Sequence, residues 1–174
     1  MKIVRNLVLS ILATIFLVLI VCVSYFMPHY KAVVISGVEV KRMDKNGLVN
    51  KSHVPKGPTR DVYFVQTYAS NDKKHVRVFR NEDTRFGFPF YFKFNSADIS
   101  ALAQSLVNQR VEVKYYGWRI NLLDEFPNVV SIKPLSDENE ISKPIFSWIL
   151  YVLLLGGLFI GVRSVRKWFD SKIH

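Results

Sequence analysis

The sequence predicts a small, mainly β domain of five strands and one helix, held between two transmembrane helices. Three observations predict it. Residues 7–27 and 145–162 contain no charged side chain, the stretch between them has ordinary globular composition, and that stretch alternates and repeats as strand, strand, strand, helix, strand, strand. The chain has 174 residues, 49% of them hydrophobic, with a mean hydropathy of +0.13. It is too apolar for a disordered or fibrous protein and too short for a multidomain soluble enzyme.

Segment 7–27, as a helix rising roughly 1.5 Å per residue, spans about 31 Å and matches a hydrocarbon core of about 30 Å. A cleaved signal peptide is the rival reading, but the run ends in Tyr25, Phe26 and Met27 and lacks a small-residue cleavage site. Cys22, the one cysteine, follows a branched valine rather than the small residue of a lipoprotein signal, and reads as an inert core thiol. No intrachain disulfide can form.

Segment 145–162 follows Lys143 and Pro144, and proline suits a first helical turn. Trp148 and Tyr151 near its start, and Trp168 and Phe169 past its end, fall where aromatic rings sit in the two headgroup layers. Gly157 and Gly161 form a small-xxx-small pair that admits a neighbouring helix, with the Ser10 and Ala13 face of the first span as one partner and a second copy of the chain as another.

The formal charge is +10, from 24 Lys and Arg against 14 Asp and Glu. About half of it flanks the spans, as Lys2, Arg5, Arg163, Arg166, Lys167 and Lys172 against Asp170 alone. Positive-inside bias then puts both termini, 1–6 and 163–174, in the cytoplasm and residues 28–144 outside it. In that compartment the basic surface meets anionic envelope polymers or lipid headgroups rather than nucleic acid.

Within 28–144, Val33 and Ile35 share one parity and Val38 and Val40 the other, with the switch at Gly37, so strand 32–43 carries a bulge. Residues 44–58 lack an apolar period and read as an exposed loop. Runs 61–68 and 75–80 form a hairpin around a polar turn. Ile99, Leu102, Ala103, Leu106 and Val107 recur at helical spacing over 97–108, with Asn95 or Ser96 as the N-cap. Val111, Val113 and Tyr115 alternate with Glu112, Lys114 and Tyr116. A last strand, 129–135, carries Pro134, which predicts an edge position, and an acidic linker, 137–140, follows. This order is that of the five-stranded Greek-key OB barrel, whose bent first strand closes the sheet while the helix plugs one end. An open α+β sandwich is the alternative.

Two segments attract functional readings. Phe86, Phe88, Phe90, Tyr91, Phe92 and Phe94 place six aromatics in nine residues. They either cover the barrel end and pack on the helix, or dock on a partner or the bilayer interface, or form a platform for a ligand. Arg80, Glu82, Asp83 and Arg85 precede them, and Tyr116, Gly117, Trp118 and Arg119 follow the fourth strand. Adjacent residues of an extended segment point to opposite faces, so Glu82 and Asp83 are poorly placed as an acid/base pair. Salt bridges from these carboxylates to Arg80, Arg85 or Arg119, pinning the aromatic loop, are the structural reading. His29, His53, His75 and His174 lack metal-ligand spacing, and no phosphate loop, nucleophile elbow or dinucleotide fingerprint is present. No catalytic residue, cofactor or metal is predicted.

Arg80-Asn81-Glu82-Asp83-Thr84, Tyr91-Phe92-Lys93-Phe94, Tyr116-Gly117-Trp118-Arg119 and Phe126-Pro127-Asn128 occur in that order. In these motifs the chain resembles the bacterial family catalogued as domain of unknown function 1523, over roughly residues 33–134. Phe86 and Phe88 stand where that family's pattern has tryptophans, and the second span is not expected throughout it. The resemblance implies a membrane-anchored bacterial protein and no reaction.

Together these readings predict a two-span inner-membrane protein presenting a periplasmic interaction module, as an accessory or scaffold subunit of an envelope assembly. Its partners are the bilayer and another envelope protein or a second copy. Arg80, Glu82, Phe90, Trp118 and Arg119 are its contact residues. The alternatives are a receptor for an anionic envelope ligand, using Arg85, Lys93 and Arg119, and a hydrolase using Glu82 or Asp83.

Overall fold

A computed structural model describes residues 2–44, 47–49, 52, 54–55, 57–136 and 141–172. His53, His174 and the acidic linker 137–140 lie outside the described residues. The chain forms two compact units, one made of Met1–Met27 with Pro144–His174 and the other of Pro28–Lys143.

The first unit pairs helix α1 (Lys2–Phe26) with helix α3 (Ile145–Ser171), both long and apolar enough to cross a membrane. Helix α3 continues past the apolar run through Arg163, Arg166 and Lys167, so the basic tail is helical. A Cβ added to Gly157 would sit 3.2 Å from the Phe16 ring, and one added to Gly161 would sit 3.1 Å from Leu12. The two glycines therefore receive Leu12 and Phe16 of α1, which corrects the expected Ser10 and Ala13 face. Arg5 and Asp170 form an ion pair at 3.3 Å. Cys22 is exposed on α1 rather than held in a core.

The second unit contains strands β1 (His29–Asp44), β2 (Gly47–Leu48), β3 (Arg60–Ala69), β4 (Asp72–Asn81), β5 (Arg110–Tyr116) and β6 (Asn128–Pro134), with helix α2 (Ser96–Ser105) between β4 and β5. They form a mixed sheet in the order β2-β1-β3-β4-β6-β5, and β1 also pairs with β5. The register shift in β1 falls between Ile35 and Gly37. It lets the first part of the strand, from His29 to Val34, lie on β5, while the rest lies on β3.

The core joins Val33, Ile35, Val65, Phe79, Val111, Val113, Val129 and Ile132 to Ile99 and Ala103 of α2. A second cluster, Met43, Val62 and Phe64 with Val78 and Phe126, covers the opposite face of β3 and β4.

Three further expectations are corrected. The chain is not mainly β, because α1 and α3 contribute 25 and 27 helical residues and helix outweighs strand; strand predominates only within Pro28–Lys143. Strand β6 is not an edge, since it lies between β4 and β5. Pro134 is tolerated there because β4 reaches β6 only at Arg80 opposite Asn128, so the missing N–H is not needed at the far end of the strand. The segment read as a loop after β1 also contains β2, which pairs Leu48 with Met43.

Candidate functional site

The connector 82–95 leaves β4 and turns Tyr91 and Lys93 inward. Tyr91 stacks on Tyr116, with ring centroids 4.9 Å apart and planes 13° apart, and Lys93 is only 4% exposed. Phe86, Phe88, Phe90, Phe92 and Phe94 face outward, between 54% and 76% exposed, on a backbone of two tight turns closed by Gly87 N–H to the Thr84 carbonyl and Phe90 N–H to the Gly87 carbonyl, both at 2.9 Å. All five rings are more than half exposed, so of the six aromatics only Tyr91 is packed inward, on Tyr116.

Lys93 Nζ donates to the Asn81 side-chain oxygen, to the Glu82 carbonyl at 3.1 Å and to the Val129 carbonyl at 2.8 Å. All three ammonium protons are used. Burial pushes its pKa down to about 8, against the opposing pull of the Asp83 and Glu82 carboxylates. Lys93 is thus an internal brace and is not placed as the anion contact expected of it.

Asn128 closes the same seam. Its Oδ1 accepts from the Glu82 N–H at 2.9 Å, and its Nδ2 donates to the Glu82 carbonyl at 3.1 Å and to the Tyr116 hydroxyl at 3.0 Å. Strands β4 and β6 share a single parallel residue pair, and Asn128, with Lys93 bridging Asn81 and Val129, supplies hydrogen bonds that a longer backbone ladder would make, while the Asn81 amide donates to Ser96 and Ser100 of α2.

The carboxylates are engaged. Glu82 pairs with Arg60 Nε at 2.8 Å and Arg80 Nε at 3.1 Å, and Arg80 reaches Glu125 at 3.5 Å. Asp83 Oδ1 accepts the Ser96 N–H at 2.8 Å, replacing the N-cap bond that the Asn95 side chain does not make. Of the expected partners, Arg80 is found, while Arg85 and Arg119 give way to Arg60 and the start of α2. The hydrolase reading draws no support from this arrangement. His75 pairs with Asp72 at 2.7 Å, at the end of β4 remote from Glu82.

Because Asp83 caps α2 and also places a negative charge at its positive end, Asp83→Ala is expected to lower the stability of this unit by about 1 kcal/mol. Asp83→Asn, which keeps an acceptor, should recover most of that loss. Denaturant midpoints of the two variants check the difference.

The connector 117–127 leaves β5 through Gly117, whose φ of 85° is costly for any side chain. With β1, β4 and β5 it forms a cleft of about 280 Å³ lined by His29, Arg77 and Tyr115 on the strands and by Gly117, Trp118, Arg119 and Pro127 on the connector. Arg77 Nη1 donates to the Tyr115 hydroxyl at 3.3 Å, and the His29 ring lies 5.5 Å from that of Tyr115. Arg119 lies 3.8 Å over the Phe126 ring, donates to the Glu125 carbonyl at 2.9 Å and stands 3.6 Å from Asp124. Lys31 lies outside this cleft, in a smaller pocket with His75 and Arg77, where burial, aided by the charge of Arg77, holds its ammonium below its usual pKa. The cleft gathers fixed cations and an indole, a constellation suited to holding an anion.

Of the predicted residues, Trp118 and Arg119 reach the cleft, Tyr116 and Lys93 brace the loop, and Arg85 and Phe90 are exposed on it. His29, Arg60 and Arg77 escaped the sequence reading. Arg77 shares its side of β4 with Phe79 and Asn81, yet it is exposed and lines the cleft. The signal that was present lay in Asn81 and Asn128, two asparagines at strand ends inside the quoted motifs.

Residues 4–169 match the model of the family described as "Protein of unknown function (DUF1523)". The match extends beyond the 33–134 marked by the motifs and takes in α1 and most of α3, so the family model includes the second span that was not expected throughout the family. An "Uncharacterized protein" of Haemophilus influenzae (strain ATCC 51907 / DSM 11121 / KW20 / Rd) is 53% identical over 151 residues, which cover 86% of each chain. No solved structure matches the chain. By both the family model and this relative, the chain belongs to the DUF1523 family.

Proposed function

We propose that this protein is a two-span protein of the bacterial inner membrane, with both termini in the cytoplasm, that presents Pro28–Lys143 to the periplasm as a non-enzymatic binding module for an acidic group of an envelope component. The cationic cleft of His29, Arg77, Trp118 and Arg119 carries this reading. The basic flanks of α1 and α3 support the orientation. An OB-like closed barrel is the architecture we favour over an open sandwich, because β5 pairs with both β6 and β1. An acidic segment of another envelope protein would fill the same cleft, which is how an accessory subunit would engage its assembly.

The test is calorimetric titration of the full-length protein in nonionic detergent with inorganic phosphate and with poly-glutamate. Binding is expected at low salt and should weaken as salt screens the arginines. Arg77→Gln should cost about tenfold in affinity, or about 1.4 kcal/mol. Absence of binding to both probes, or equal affinity in Arg77→Gln, would refute the proposal.

A further inference from the structure

Resting on the reading that α1 and α3 cross a membrane, we infer that the phenylalanine loop 86–94 is seated in the headgroup layer of that same bilayer. Five phenylalanines of one loop are more than half exposed. Their rings touch in sequence, Phe88 to Phe90 at 5.5 Å, Phe90 to Phe92 at 6.4 Å, Phe92 to Phe86 at 6.3 Å and Phe86 to Phe94 at 5.1 Å. Each ring left in water forgoes roughly 2 kcal/mol of burial, and a contiguous patch of this kind marks a surface that something covers.

The loop is held in this outward form. The Arg85 N–H donates to the Lys93 carbonyl at 2.9 Å and the Lys93 N–H to the Thr84 hydroxyl at 3.2 Å. Arg85, Phe90 and Phe92 each sit at φ 49°, a left-handed conformation that is unfavourable for bulky side chains. Local energy is spent on keeping the rings out.

What covers them follows from where the loop lies in its own unit. Tyr91 stacks on Tyr116, the neighbour of Tyr115, which pairs with His29, the first residue of β1. Only Met27 and Pro28 separate His29 from the end of α1. At up to about 3.6 Å per residue that connection spans about 10 Å, comparable to one headgroup layer. On the same face, Glu112 of β5 accepts from the Ser142 hydroxyl at 3.0 Å, two residues before α3 begins its approach at Pro144. The connection to α1 therefore leaves from beside Tyr115, and that to α3 from the same strand four residues before Tyr116.

The rest of the exposed apolar surface agrees. The connector 117–127, at that end of the strands, adds Leu122 and Leu123, 93% and 64% exposed. The opposite end, the β3–β4 turn, reads Ser70, Asn71, Asp72, Lys73 and Lys74. Exposed rings beside a free Arg85 suit the mixed apolar and anionic character of a lipid interface.

The experiment uses the full chain in vesicles of phosphatidylethanolamine and phosphatidylglycerol, in a Cys22→Ser background, with an environment-sensitive NBD label at Phe86→Cys or Phe88→Cys. Lys73→Cys serves as the aqueous reference and Phe159→Cys in α3 as the span reference. Blue-shifted emission at 86 and 88, quenched by lipid carrying a shallow nitroxide while the label at 73 is unaffected, is the expected result. Water-like emission at 86 and 88 with 159 quenched by a deep nitroxide would overturn the inference. A blue shift without lipid quenching would also overturn it, assigning the loop to a protein surface. An unquenched label at 159 would instead overturn the membrane-spanning reading itself.

Discussion

Lys93→Met is expected to lower the stability of Pro28–Lys143 by about 3 kcal/mol or more, since it leaves the Asn81 side-chain oxygen and the Glu82 and Val129 carbonyls without the ammonium that bridges them. The methionine keeps the volume of the buried stem, so the loss measures the polar brace rather than a cavity. Because the brace fixes the base of the phenylalanine loop, protease cleavage within 82–95 should rise in the variant. Denaturation of the full-length protein in detergent, followed by near-ultraviolet circular dichroism, reads the stability; equal midpoints would remove Lys93 from the account.

The same residue gives a pH dependence whose sign can be worked out. Burial lowers the folded pKa of Lys93 to about 8, while the unfolded lysine titrates near its ordinary 10.5. Between those values the unfolded chain binds more protons, so stability rises with pH, by at most about 1.4 kcal/mol per unit. Burial raises the Tyr91 pKa, so above about pH 10 the unfolded tyrosine ionises first and stability falls again. Wild type should therefore gain stability from about pH 8 to about pH 10. Lys31, also lowered by burial and by Arg77, contributes in the same direction in both proteins, and Lys93→Met should lose the part due to Lys93. Parallel pH profiles would show that Lys93 is not its source.

Asn128→Ala is the second large expected effect, about 2–3 kcal/mol, because it unpairs the Glu82 N–H and takes one of the two donors from the Glu82 carbonyl at a seam where β4 and β6 have one residue pair. It also takes one partner from the Tyr116 hydroxyl, on whose ring Tyr91 rests. The effects of Asn128→Ala and Lys93→Met should exceed additivity in the double variant, since each single variant leaves the Glu82 carbonyl one donor and the double variant leaves it neither. Strict additivity would mean that the two side chains act independently.

Much of the fold was legible because its signals are local. The bulge at Gly37 showed as a change of parity within one strand, and α2 showed as an apolar period of 3.6. The site was legible only in part. Trp118 and Arg119 stood out as an indole and a cation after a glycine, whereas Arg77 was hidden because β4 packs apolar side chains on both faces, Val78 on one and Phe79 on the other, so alternation does not single out an exposed arginine. Glu112 was equally opaque: its alternation with Val111 and Val113 marks it as solvent-facing, and it is nonetheless 3% exposed because Ser142, distant in sequence, binds it.

The sequence by itself determined the two apolar helices, the number of main strands and the helix between them, since hydropathy and periodicity depend on neighbouring residues alone. Tertiary structure decided which side of β6 is paired, which partner Asp83 takes, and that Lys93 lies inside while five phenylalanines lie outside. Those outcomes depend on carbonyls, amides and carboxylates brought together from β4, α2 and β6. A buried ammonium is stable only where three acceptors converge on it, and that convergence exists only once the chain has folded.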